Sequence, residues 1–260
     1  MHQTHSLVIG AASGMGRCIA ERLAKVGKLS IADKNLPALN ELAAEYKADA
    51  VHCDISDLES VKSLAAACTD IDNIVITAGV SPMMATVQQI IDVDFIGTAH
   101  CIEVFRDQIR PGGAMVCISS IAGHKFITND PKVIQALDEP LSEQLIERLQ
   151  NAGLDMTDRN VVYGIAKFGV IHLARKSATS WAKKQARINS ISPGIIDTPM
   201  GNLELQQQTE ILRSLIDATP LQRMGAPEEI ADCIEFLLSK KSSFITGTDI
   251  LVDGGISSLG

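Results

Sequence analysis

The feature that most constrains this 260-residue chain is a rhythm: short apolar runs, each closed by a turn and followed by a stretch with helical periodicity. Leu7-Val8-Ile9 runs into a glycine-rich turn, after which Ile19, Ala20, Leu23, Ala24 and Val26 predict a helix stopping at Gly27. Residues 29–32 predict a second strand, 36–46 a second helix and 50–53 a third strand. Leu58, Val61, Leu64 and Ala65 mark the next helix, and 71–76 a fourth strand ended by Gly79. Further along, the pattern predicts a helix ending near Arg110, a strand at 114–118, a helix at about 161–183, a strand at 187–191, a helix at 227–238 and a final strand at 249–252. Strands that are apolar almost throughout are covered on both faces, which is the situation of a parallel sheet between two helix layers. Right-handed crossovers then predict an α/β fold: a single-domain, doubly wound Rossmann-type sheet over 1–260 with helices on both faces.

Two segments break the rhythm. Residues 128–160 hold Pro131 and Pro140 and then Leu141, Leu145, Ile146 and Leu149 on one side of an amphipathic stretch. Residues 199–226 hold Leu203, Ile211, Leu212, Leu215 and Ile216 in a second one. Both predict helical insertions outside the sheet, read as a substrate lid or subunit contact rather than surface decoration. Their leucines and isoleucines suggest a hydrophobic substrate.

Charge and cysteine usage narrow the partners. Lys and Arg total 23 against 31 Asp and Glu, a net charge of −8 that repels polyphosphate, so nucleic acid is not an expected partner. No apolar run reaches the roughly 20 residues needed to span a bilayer, and Met1 to His5 shows no secretory pattern, so a cytoplasmic protein is expected. The six cysteines lack the short paired spacings of a zinc site, and His2 and His5 are read as part of a frayed terminus; no metal is expected. The cysteines are read as reduced and mostly buried.

Gly10-Ala11-Ala12-Ser13-Gly14-Met15-Gly16 lies between the first strand and the first helix. Glycines there allow a tight turn, and the free N–H groups of the helix start then face an anion such as a diphosphate. Asp33, at the end of the second strand, is placed to accept from adenosine ribose hydroxyls and to repel a 2′-phosphate, which argues for NAD over NADP; Lys34 softens that exclusion. Asp54, after the third strand, reads equally as an acceptor for the adenine amino group and as a turn residue.

Tyr163 and Lys167 are four residues apart and share a helix face. A phenol of ordinary pKa about 10 is a poor proton shuttle at neutral pH, but a neighbouring ammonium favours the phenolate. Ser120 follows an apolar strand at the edge where doubly wound sheets bind ligands, and its hydroxyl can hydrogen-bond a substrate oxygen as charge develops there.

Taken together, the glycine spacing, Asp33, Ser120, Tyr163-x-x-x-Lys167 and Ser192-Pro193-Gly194 resemble the short-chain dehydrogenase/reductase family over essentially the whole chain. The long interval from Ser120 to Tyr163, and the short one from Gly79 to Asp94-Phe95-Ile96-Gly97, resemble its bacterial 3α-hydroxysteroid dehydrogenase/carbonyl reductase branch. The resemblance implies a nicotinamide cofactor, an alcohol or ketone substrate, and a homodimer or homotetramer. It also implies Tyr163 as acid/base, Lys167 lowering its pKa and holding the ribose, and Ser120 (chosen over Ser119 because it directly precedes Ile121-Ala122-Gly123) orienting the substrate. Cofactor contacts are implied for Gly10, Ser13, Gly14, Met15, Gly16, Ile55, Ala78, Gly79, Pro193, Gly194, Ile196 and Thr198.

Two departures stand out. Asp94 occupies the position of the family's tetrad asparagine, whose backbone carbonyl holds a water beside the lysine, and an ionised carboxylate only accepts hydrogen bonds. Ile76-Thr77-Ala78-Gly79 replaces the usual Asn-Asn-Ala-Gly. An alternative reading on Asp94 is a dinucleotide-binding protein with an impaired active site. A sugar-nucleotide epimerase is disfavoured, because neither G-x-x-G-x-x-G nor a longer C-terminal substrate region is present.

Overall fold

Each apolar run becomes a strand because helices cover both of its faces. The computed structural model describes residues 3–259. In chain order the elements are β1 (His5–Ile9), α1 (Gly14–Leu23), β2 (Lys28–Asp33), α2 (Leu36–Tyr46), β3 (Asp49–His52), α3 (Leu58–Ala67) and β4 (Ile71–Ile76). Then follow α4 (Val87–Ile90), a π-helical stretch (Ile91–Gly97), α5 (Thr98–Arg106), β5 (Ile109–Ile118), α6 (Ile121–His124), α7 (Pro131–Leu137), α8 (Leu145–Asn151) and α9 (Arg159–Ala182). The chain continues through β6 (Arg187–Pro193), α10 (Pro199–Gln207), α11 (Thr209–Ala218), α12 (Pro227–Leu238) and β7 (Asp249–Val252).

The seven strands form one sheet in the order β3-β2-β1-β4-β5-β6-β7, and every pair is parallel. Chain direction across the sheet reverses between β1 and β4, so the loops leaving these two strands diverge and open a crevice at their carboxyl ends. One face packs Phe95, Phe105 and Trp181 against the sheet, and the other packs Ile19, Leu39, Leu42, Ile230 and Ile234. Among the described residues no helix is long and apolar enough to cross a membrane.

Several expectations are corrected. His5 is not in a frayed terminus: it is buried in β1, its ring bonded to the Thr69 carbonyl at 3.0 Å and to the Ser30 hydroxyl at 2.9 Å. His2 lies outside the described residues. The first helix ends at Leu23 instead of running to Val26, which is exposed and sits in a tightened turn with its N–H on the Leu23 carbonyl. The fifth helix stops at Arg106, and Arg110 belongs to β5, which starts five residues before the expected strand. An irregularity makes this possible: β5 pairs Ile109 with Ile71, then jumps to Ala114 opposite Asn73, with Gly112 at φ 87° inside the offset.

The insertion at 128–160 is also not a loose lid. Val133, Ala136 and Leu137 of α7, with Leu145 and Leu149 of α8, are buried in the core layer that contains α9. Asp138 ties the segment to α9 through His172 Nε2 at 2.9 Å and Lys176 Nζ at 2.9 Å. Those leucines stabilise the fold, so they carry no argument about the substrate. The four buried cysteines, Cys53, Cys68, Cys101 and Cys117, are free thiols, and burial pushes Cys53 up to about 11 and Cys117 up to about 12.

Candidate active site

The glycine turn fills the mouth of the β1/β4 crevice. Gly10 has φ 91°, and a Cβ there would overlap the Ala78 backbone; a Cβ on Gly16 would overlap the Gly10 carbonyl and Thr77 Oγ1. The turn therefore lies flat on the 77–79 segment. Thr77 donates from its hydroxyl to the carbonyls of Ile9 and Gly10, each at 3.0 Å, while the N–H groups of Thr77 and Ala78 both bond the Ile9 carbonyl. The departure from Asn-Asn-Ala-Gly thus has a structural reason: a single hydroxyl clamps the turn.

Gly14, Met15 and Gly16 form the first turn of α1, whose N–H groups have no helical acceptors. Ser13 sits at the N-cap with no side-chain capping bond. Asp33 closes the cradle from the side, with Oδ2 accepting from Ala12 N at 3.0 Å and Oδ1 from Asn35 N at 2.9 Å. A nicotinamide dinucleotide fits these residues: a glycine cradle that side chains would fill, a helix start for the diphosphate and a fixed carboxylate at the ribose end.

The other expected cofactor residues are less uniform. Asp54 Oδ1 holds its own turn, accepting from Ser56 N at 3.0 Å and Ser56 Oγ at 2.6 Å. Ile55 is buried and its carbonyl bonds the His100 ring at 3.0 Å. Pro193 ends β6 and Gly194 follows it, with Gly194 N on the Val252 carbonyl. Ile196 bridges Gly225. The Thr198 hydroxyl accepts from Gly201 N at 3.1 Å as the N-cap of α10. Thr198 also lies over the glycine turn, 3.4 Å from where a Gly14 Cβ would be.

The catalytic candidates converge from three elements. Ser120, two residues past β5, is the N-cap of α6, accepting from Ala122 N at 3.1 Å, and its hydroxyl faces the Tyr163 phenol. Ser119 is committed elsewhere, donating to the Lys167 carbonyl at 2.8 Å. Tyr163 and Lys167 lie one turn apart on α9, with Nζ 5.6 Å from the ring centroid. Asp94 reaches them from the π-helical stretch, whose wider winding is common at functional sites.

Electrostatics here differ from expectation. Asp94 Oδ1 lies 3.0 Å from Lys167 Nζ and accepts from Val80 N at 3.2 Å, in a pair that is almost wholly buried. Gly79 makes room for it, since a Cβ there would stand 2.7 Å from Asp94 Oδ1. The Asp94 carbonyl, which the resemblance gives to a water, accepts from Thr98 Oγ1 at 3.0 Å. Burial raises the Tyr163 phenol above its ordinary value; Lys167 pulls it down, but Asp94 pushes it back up. Burial works against the Lys167 ammonium, yet Asp94 and Tyr163 outweigh it and hold Lys167 above its ordinary value. Burial also raises Asp94, against the pull of Lys167.

A prediction follows from those signs. Removing the Asp94 charge lowers the affinity of both Tyr163 and Lys167 for their protons. Asp94→Asn in a Tyr46→Phe background should therefore bring tyrosinate absorbance up at a pH lower by on the order of one unit. An unchanged or upward-shifted titration would mean that Asp94 does not set the proton affinity of this site.

Some residues at this site carried no sequence signal. Thr77 was visible only as a departure. Ser81 and Glu204 come together here from separate segments, and no motif marks them.

The fold and this cluster define the class: a dinucleotide-binding α/β enzyme with a Tyr–Lys pair at the sheet's switch point. Comparison with known proteins places it further. Residues 4–131 match the family model for short chain dehydrogenase, and residues 150–257 the one described as enoyl-(acyl carrier protein) reductase. The short-chain dehydrogenase/reductase bsc3 of Alternaria brassicicola is 37% identical over 267 residues, covering 98% of this chain and 96% of that protein. The 3-alpha-hydroxysteroid dehydrogenase/carbonyl reductase of Comamonas testosteroni is 28% identical over 221 residues, covering 80% of this chain and 83% of that protein. A solved short chain dehydrogenase/reductase family protein matches with a TM-score of 0.75 at 29% identity, covering 98% of each chain. The chain belongs to the short-chain dehydrogenase/reductase family, and with it comes oxidoreductase activity with a nicotinamide dinucleotide.

Proposed function

We propose that the protein is an NAD(H)-dependent oxidoreductase interconverting a secondary alcohol and a ketone on an alicyclic or steroid-like frame. The observation that carries this is the Lys167 ammonium 5.6 Å from the centroid of the Tyr163 ring, with the Ser120 hydroxyl facing the phenol. The cofactor, when bound, exchanges hydride with the substrate carbon. Tyr163 takes the hydroxyl proton in oxidation and returns it in reduction, Ser120 fixes the substrate oxygen, and Lys167 holds the ribose and favours the phenolate. Gly10, Gly14, Gly16, Ser13 and Met15 hold the diphosphate, and the 193–198 loop the nicotinamide side. Support for an apolar frame comes from half-buried Met83 and from Leu203 and Leu205 on α10.

The NAD preference rests on Asp33, held by two backbone donors at the end of β2. A 2′-phosphate next to that carboxylate meets like-charge repulsion, so kcat/KM with NADH should exceed that with NADPH by about tenfold or more. Asp33→Asn should erase most of the gap. Equal or better use of NADPH by the unmodified protein would refute the argument.

The second reading, a dinucleotide-binding protein with an impaired site, draws on the buried Asp94–Lys167 pair. Tight NADH binding without turnover across steroid, alicyclic and short-chain substrates would favour it. A cytoplasmic homodimer or homotetramer is the assembly we propose; exposed Phe236, Phe244 and Leu251, on and around α12 and β7, offer an apolar face to a second copy.

A further inference from the structure

The loop leaving β4 passes through the site and then under α10. Gly79 touches the Asp94–Lys167 pair, and Pro82, three residues on, accepts from Arg159 Nη1 at the start of α9, one turn before Tyr163. Gln208, just past α10, contacts Met83 of the same loop, Nε2 to Sδ 3.0 Å. The other end of α10 is pinned by Thr198 over the glycine turn. The helix is thus fixed at both ends as a roof over the catalytic cluster.

Two polar groups, buried Ser81 below this roof and half-buried Glu204 on it, lack the partners that such groups normally have. Ser81 is 1% exposed, and its hydroxyl makes no hydrogen bond of normal geometry. Such a group costs stability unless something satisfies it. Glu204, on α10, faces it, and among the described residues no Lys, Arg or His forms an ion pair with its carboxylate. Burial raises the Glu204 carboxyl, the Ser81 hydroxyl partly offsets this, and the Glu204 charge is felt at Tyr163. Glu204 stands one turn before Gln208, whose contact with Met83 seats this end of α10 on the loop that carries Ser81, so a carboxylate and a hydroxyl share the space beside that loop with unused hydrogen-bonding capacity.

We propose that Glu204 and Ser81 form a distal substrate subsite that binds a second hydroxyl group, so that the substrate is a diol or hydroxyketone. This rests on the alcohol/ketone reading and narrows it. The substrate hydroxyl donates to Glu204 and accepts from Ser81, leaving the reacting oxygen between Ser120 and Tyr163. A wholly apolar ligand would leave buried Ser81 unsatisfied and cover the half-buried Glu204 carboxylate without a donor, which disfavours it. Specificity then comes from a polar anchor within an otherwise apolar frame.

The test is ligand affinity for the NADH-saturated protein, measured by calorimetry with matched pairs: cyclohexanone against 4-hydroxycyclohexanone, and equivalent pairs on decalin and steroid frames. On at least one frame the hydroxylated member should bind about tenfold or more tightly than its partner, a factor suited to a charge-assisted hydrogen bond. Glu204→Leu should abolish that ratio, and Ser81→Ala should reduce it; each variant is read as a ratio, so a general loss of affinity does not imitate the effect. Equal affinities in every pair, a ratio untouched by either change, or no binding on any frame overturns the proposal. So does a 4-aminocyclohexanone bound tenfold more tightly than the hydroxyl compound, which would make the site one for a cation. Turnover distinguishes the two readings: a Glu204-dependent ratio without turnover refutes the oxidoreductase assignment alone, and turnover without the ratio refutes the subsite alone.

Discussion

Tyr163→Phe is expected to lower kcat by about 10²–10⁴-fold while NADH binding stays within about fivefold. The phenol is the group that Ser120 and Lys167 jointly address: a hydroxyl facing its oxygen and an ammonium 5.6 Å from its ring centroid. Phenylalanine keeps the ring packing and the cation above it and removes only the proton carrier. The glycine cradle and Asp33, to which we assign the other half of the dinucleotide, lie on different elements and are untouched. Steady-state rates followed by NADH absorbance, with a fluorescence titration for binding, separate the two effects. Normal turnover by the variant would remove Tyr163 from the mechanism.

Lys167→Met should destabilise the folded protein by about 3–5 kcal/mol near neutral pH, because it leaves the Asp94 carboxylate buried and unpaired. Asp94 Oδ1 loses its ammonium at 3.0 Å, and Oδ2 already has no partner. Burial alone then raises the carboxyl in the folded state above its unfolded value. A group shifted in that direction folds without penalty when protonated and at full cost once ionised, so the loss should be small near about pH 4 and grow as pH rises through the folded-state value. Adding Asp94→Asn removes the buried charge and should recover most of the stability and flatten its pH dependence. Denaturant midpoints for the two single variants and the double variant at several pH values give the coupling directly. A Lys167→Met protein as stable as the parent at high pH would show that Asp94 is not ionised beside it.

Much of the scaffold was legible along the chain. The bounds 36–46, 71–76, 227–238 and 249–252 agree with α2, β4, α12 and β7. These are elements whose ends carry a local signal: Pro at an early helix position, Asn35 capping α2, or an apolar run bounded by polar residues. Boundaries slipped where a long-range contact decided them. β5 begins early because Ile109 pairs with Ile71 across a glycine offset, and β1 begins early because His5 finds Ser30 and Thr69. No local pattern announces either. The insertion at 128–160 had a helical pattern, but whether its apolar face covered a ligand or the core was undetermined until α9 was in place.

For the site, residue identity and spacing made the glycine turn and the Tyr–Lys pair legible, the latter because a four-residue step on a helix is local; the crowding that excludes a Cβ at Gly10 and Gly16 comes largely from the distant 77–79 segment. What depended on the tertiary structure was charge. That the Asp94 carboxylate meets Lys167, that burial then outweighs the ammonium at Tyr163, and that Glu204 stands over Ser81 are outcomes of elements distant in sequence packing into a space with little water. Coulomb interactions and desolvation act through that space and not along the chain.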